Sequence, residues 1–114
     1  PASALLLPVT GPALSSMKLD LYWAIRPGQD PIAMFERNPG RYRLFHVKDM
    51  SDEAGSQAMA PVGEGQIDFS TIFAHARQAG VEHYFVEHDN AAESSGGSIA
   101  SITTSFGHVR RLLP

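Results

Sequence analysis

Three short apolar segments set the first constraint on this chain: residues 18–24 (KLDLYWA), 42–47 (YRLFHV) and 82–87 (EHYFVE). Each is rich in aromatic or branched side chains and bounded by turn residues, so each reads as a buried strand. Helix signals separate them. Asp30-Pro31 offers an N-cap followed by proline at the first helical position, Ile32, Met34 and Phe35 supply an apolar face, and Asn38-Pro39-Gly40 ends the helix. A second helix starts at Asp68 or Ser70, carries Ile72, Phe73, Ala76 and Ala79 on one face and stops at Gly80. A third runs from about Ser98 to Leu112, with Ile99, Ile102, Phe106 and Val109 forming an amphipathic stripe. The order strand, helix, strand, helix, strand, helix predicts right-handed crossovers and a parallel sheet, hence an α/β fold.

The N-terminal stretch is less regular, because Pro8, Gly11 and Pro12 interrupt the partly helical pattern of Leu5–Leu7 and Ala13-Leu14. Its apolar centre lacks a basic flank, which makes it a poor signal peptide. The linker 48–66 is long, polar and glycine-containing, and it leaves the C-terminal end of the second strand, where long loops serve function. With 114 residues the chain, 1–114, is expected to form a single domain. A hydrophobic fraction of 43% suffices for a core, and a net charge of −3 argues against nucleic-acid or membrane partners. No stretch is long enough to span a membrane. Cysteine is absent, so any metal must be held by oxygen and imidazole, and a cytoplasmic location is expected.

Each strand segment holds one residue foreign to an ordinary core: Asp20 in Leu-Asp-Leu, His46 in Phe-His-Val and Glu87 after Phe85-Val86. A buried carboxylate is costly unless paired or metal-bound. Parallel strands bring such groups together at their C-terminal ends, where α/β proteins bind ligands. Two carboxylates and an imidazole suit Mn²⁺, Mg²⁺, Co²⁺ or Zn²⁺. Taken singly, such an Asp is more often a turn or salt-bridge residue and such a His more often a hydrogen-bonded core residue.

The stretches LDLYW (19–23), Asp30-Pro31, PGR (39–41), HVKDM (46–50), VGEGQIDF (62–69), QAG (78–80) and VEHD (86–89) together resemble the sugar phosphate isomerase/epimerase family. These are xylose isomerase-like TIM barrels related to endonuclease IV. The resemblance implies a partial (β/α)8 barrel comprising its last three βα units. Asp20, His46 and Glu87 would be the metal ligands of the sixth, seventh and eighth strands. Glu87 would also be the catalytic acid/base, removing a proton beside a carbonyl while the metal stabilises an enediolate. Trp23 stands where some relatives have a substrate-contacting histidine. Lys48 and Asp49 would orient substrate oxygens or His46, or else form a solvated loop pair. Gly63 and Gly65 would permit a tight loop, Glu64 would face water, and His88, Asp89 and Asn90 would contact the ligands. His75, His83 and His108 are expected at the surface.

A whole barrel needs roughly 250 residues, so the resemblance also implies that five strands lie outside this stretch, with a fourth ligand glutamate on the fifth. A three-stranded unit would expose strand edges and apolar surface, which predicts a homo-oligomer. Two functions follow: a metal-dependent isomerase/epimerase acting on a sugar or sugar phosphate, or a non-catalytic binding or oligomeric module of the same fold. Endonuclease-like DNA repair fits poorly, since it uses a three-zinc cluster and a basic surface.

Overall fold

The computed structural model describes residues 2–114, with side chains from residue 5 onward; the Pro1 end of the opening segment lies outside the described residues. Helix α1 (Ala2–Val9) precedes strand β1 (Met17–Asp20) and the short helix α2 (Leu21–Ile25). Helix α3 (Pro31–Arg37) leads to β2 (Tyr42–Val47), then to a small hairpin, β3 (Asp49–Met50) with β4 (Met59–Ala60). Helices α4 (Phe69–Ala74) and α5 (Ala76–Ala79) precede β5 (His83–Val86), and α6 (Gly97–Leu112) closes the chain.

Strands β1, β2 and β5 form one parallel sheet in the order β1-β2-β5. Three parallel strands alternating with helices are the predicted α/β unit. Their register pairs Leu19 with Phe45 and Phe45 with Tyr84 on one face. Asp20 pairs with His46, and His46 with Phe85, on the other. The first face is the core. Phe45 and Val47 are fully buried there, and Phe35 of α3 stacks on Phe45 at 5.4 Å between ring centroids. Phe73 of α4 meets Tyr84 at 4.8 Å. The helices therefore cover one side of the sheet and leave the side that carries Asp20 and His46 open.

Four expectations need correction. The first strand ends at Asp20, and residues 21–25 are helical instead. The Asp20 carboxylate accepts the Trp23 N–H at 3.1 Å, an N-cap that turns the chain out of the sheet. The second helix breaks at His75. That imidazole takes the Thr71 carbonyl at 2.9 Å while the His75 backbone N–H shifts to Ile72, so side chain and backbone compete for the turn.

The linker contains the β3–β4 hairpin and is not featureless. The α6 stripe also faces the wrong way. Val109 is buried, but Ile99 and Phe106 are 78% and 61% exposed, and Ser101 and Ser105 point inward. Polar anchoring explains the rotation, since Ser105 Oγ accepts the buried Val62 N–H at 2.9 Å and Ser101 Oγ meets His88 Nδ1 at 2.8 Å.

Candidate metal centre

Alternation along β2 decides which side chains face the open side. A period of two puts His46 and Lys48 on one face and Phe45, Val47 and Asp49 on the other. Val47 is in register with Val86, and the Glu87 N–H continues the ladder to the Val47 carbonyl at 3.0 Å. Glu87 thus emerges level with Lys48, one step beyond His46, and Asp20 flanks His46 from β1. All four lie at the C-terminal ends of parallel strands, the position the sequence predicts for the three candidate ligands.

The result is a tight polar cluster. His46 Nδ1 lies 3.0 Å from Glu87 Oε2 and 3.7 Å from Asp20 Oδ2. Lys48 Nζ lies 3.0 Å from Asp20 Oδ2, 3.1 Å from Glu87 Oε2 and 3.1 Å from Asp89 Oδ1. The Lys48 side chain is 7% exposed, against 35% for Glu87, so the lysine sits beneath carboxylates that reach outward. Burial pulls the ammonium toward deprotonation, but its bonds to Asp20, Glu87 and Asp89 outweigh that and hold its pKa above the ordinary lysine value. Lys48 is therefore a charged, fully engaged residue and not a solvated loop side chain.

The donor set fits a divalent cation. One atom from each of Asp20, His46 and Glu87 lies within 4.8 Å of the others. A cation holding oxygen and nitrogen donors at about 2.0–2.2 Å keeps adjacent donors about 3 Å apart and opposed ones about 4 Å apart. The open side of the sheet gives access, and the two carboxylates already gather a positive charge in the form of Lys48.

Asp49 has a different place from the one expected. It is 1% exposed, and its carboxylate accepts four backbone N–H groups. Met50 and Ile67 donate to Oδ1 at 2.8 and 3.1 Å, and Gly63 and Gly65 to Oδ2 at 2.9 and 3.1 Å. With all its acceptor sites filled it has none for a substrate hydroxyl, and it folds the 62–67 loop. The two glycines fit that role. Gly63 adopts φ +99° against the His108 ring, and a Cβ on Gly65 would overlap the Asp49 carboxylate and the Met50 carbonyl. Glu64 faces solvent as expected, whereas His108 is half-buried.

Trp23 is half-exposed in the first turn of α2, edge-on to Tyr22 at 5.0 Å. It lines a cleft of about 500 Å³ with Arg26, Met59, Asp89 and Asn90. The Arg26 guanidinium lies 5.1 Å from the Trp23 ring centre, and its Nε donates to Gln57 at 3.3 Å. Gln57 returns a bond to the Arg26 carbonyl at 3.1 Å, and the Tyr22 hydroxyl donates to the Gln57 carbonyl. These bonds dock the hairpin tip beside the cluster. Sequence reasoning missed Arg26 and Gln57, whose pairing spans a loop that carries no local signal. Of the three residues after Glu87, only Asp89 joins the cluster; His88 turns to α6 and Asn90 to Glu93.

The sequence matches no family profile and no curated protein. Its structure is similar to two crystal structures of sugar phosphate isomerase/epimerases from Parabacteroides distasonis ATCC 8503. One is 26% identical with a TM-score of 0.74 and the other 23% identical with a TM-score of 0.72. Each similarity covers 95% of this chain and 35% of the other, so the chain spans about a third of the length of these TIM-barrel isomerases. The family resemblance read from the motifs and the barrel-unit fold are both borne out at this level.

Proposed function

We propose that this chain carries the divalent-metal centre of a sugar or sugar phosphate isomerase/epimerase, with Asp20, His46 and Glu87 as metal ligands. The observation that carries this reading is the convergence of those three side chains on the open face of a barrel-like sheet. A divalent cation there would supply the positive charge that favours loss of a proton beside a carbonyl. Glu87 is the acid/base. Its carboxylate takes the proton from the substrate carbon, leaving an enediolate, and returns it to the neighbouring carbon on the same face. Inversion at one carbon needs a second acid/base on the opposite face. Before metal enters, Lys48 holds Glu87 in place through its ion pair. Trp23 offers a ring face to the apolar side of a sugar, and Arg26 beside it suits a phosphate or hydroxyl oxygen.

A second reading, a non-catalytic module of the same fold, draws support from the open sheet edges on β1 and β5 and from exposed Ile99, Ile102, Phe106 and Phe85. These surfaces also favour association with a second copy. The lack of cysteine favours the cytoplasm.

Calorimetric titration with Mn²⁺ should give saturable binding to the native protein and none to His46→Ala. Solvent deuterium should enter a panel of ketoses and ketose phosphates in the presence of the native protein and not of Glu87→Gln. Equal deuterium uptake with both proteins removes Glu87 from its role. Metal binding without any uptake selects the non-catalytic module.

A further inference from the structure

The oxygens that would bind a metal are the ones that Lys48 already holds. Its ammonium lies 3.0 Å from Asp20 Oδ2 and 3.1 Å from Glu87 Oε2, and these same two atoms face His46 Nδ1 at 3.7 and 3.0 Å. A cation that approaches them to about 2.1 Å shares its space and its partners with an ammonium at that range, so the two repel strongly in a partly dry site. A third carboxylate stands ready for the lysine. Asp89 brings both oxygens to Nζ, Oδ1 at 3.1 Å and Oδ2 at 3.3 Å, from a half-exposed position on the rim.

We propose that Lys48 is a built-in counter-cation that competes with the divalent metal for Asp20 and Glu87, and that Asp89 receives the lysine when the metal enters. The inference rests on the metal reading above. Without metal, Lys48 keeps two neighbouring carboxylates from repelling each other and holds the ligand set in its binding arrangement. With metal, Asp89 keeps the ammonium buried and paired, which avoids the high cost of an unpartnered charge. Asp89 is thus a positioning residue that acts through Lys48 and never touches the metal.

The proposal predicts opposite effects from the two members of the pair. Lys48→Met, which keeps the buried chain, should raise Mn²⁺ affinity about tenfold by removing the competing cation. Asp89→Asn should lower it several-fold, and this loss should vanish in the double variant Lys48→Met/Asp89→Asn, because the acceptor matters only while the lysine is present. Calorimetry on the four proteins reads all three effects. Thermal unfolding in chelator should show Lys48→Met melting below the native protein, with Mn²⁺ closing the gap.

If Lys48→Met binds Mn²⁺ no more tightly than the native protein, competition is disproved. If the Asp89→Asn loss persists in the double variant, Asp89 acts by bulk charge and its role as acceptor fails. Should none of the four proteins bind Mn²⁺, the metal reading itself falls and the competition with it. Should Lys48→Met fail to fold, the Asp89→Asn protein decides: unchanged Mn²⁺ affinity there overturns the proposal.

Discussion

Lys48 and Asp49 are consecutive, both buried and both charged, yet they belong to two different regions. Asp49 turns toward the helix-covered side and is enclosed by four backbone N–H groups from residues 50–67. Lys48 turns toward the open side and is held only by other side chains, two of which reach solvent. A charge satisfied by backbone can be released only by unfolding the loop that satisfies it. A charge satisfied by side chains can change partners by rotamer motion. The first arrangement is a structural fastening. The second is the kind from which ligand sites are made, because its partners remain available to something else.

Breaking the fastening should have the largest effect. Asp49→Ala leaves buried backbone donors without an acceptor and should destabilise the protein by about 3–5 kcal/mol, measured by urea denaturation. A loss under 1 kcal/mol, taken as roughly the value of an exposed pair, would put Asp49 in the same class as a surface residue. Gly65→Ala should come next. Its Cβ overlaps the Asp49 carboxylate and the Met50 carbonyl, so the loop must shift, at about 1–3 kcal/mol.

On the open side the same assay should respond weakly. Glu87→Gln should cost about 1 kcal/mol or less, because Lys48 retains Asp20 and Asp89. If Glu87→Gln unfolded the protein as Asp49→Ala does, the contrast between the two regions would collapse. The smallest effect is a matter of pH. Asp68 caps α4 through both the hydroxyl and the N–H of Thr71, and these bonds hold its carboxyl below the ordinary value near 3.8. Its contribution is complete above that value and fades as pH falls through the lowered one. Asp68→Asn should therefore flatten the acid limb of a stability profile as pH falls below the ordinary carboxylate value.

Much of this was legible in the sequence, for reasons that are local. Apolar runs bounded by turns mark β2 to the residue, and Asp30-Pro31 marks the start of α3. The three candidate ligands stand out because charge inside such a run needs a partner. Asp49 was misplaced although the signal existed. Carrying the two-residue alternation of β2 past Val47 sends Lys48 to the ligand face and Asp49 to the helix face.

Other features had no local signature. The stripe on α6 is a sound helical pattern, but periodicity gives a face and not its direction. The direction here is set by Ser101 and Ser105 bonding to residues distant in sequence, His88 and Val62. Asp20 looked like a mid-strand residue because Leu21, Tyr22 and Trp23 are as apolar as a strand. Its own carboxylate ends the strand by capping Trp23.

The strand register has a consequence for how this protein is proofread. Leu19, Phe45 and Tyr84 share one side of the sheet, while Asp20 and His46 share the other. Slipping β2 by one residue inverts its faces together, driving His46 among the aromatic rings and Phe45 into water. Such a chain would open readily to proteases. Cellular quality control needs no sensor for the site itself: a molecule that survives with its oily layer intact has, by the same alignment, its candidate ligands in place.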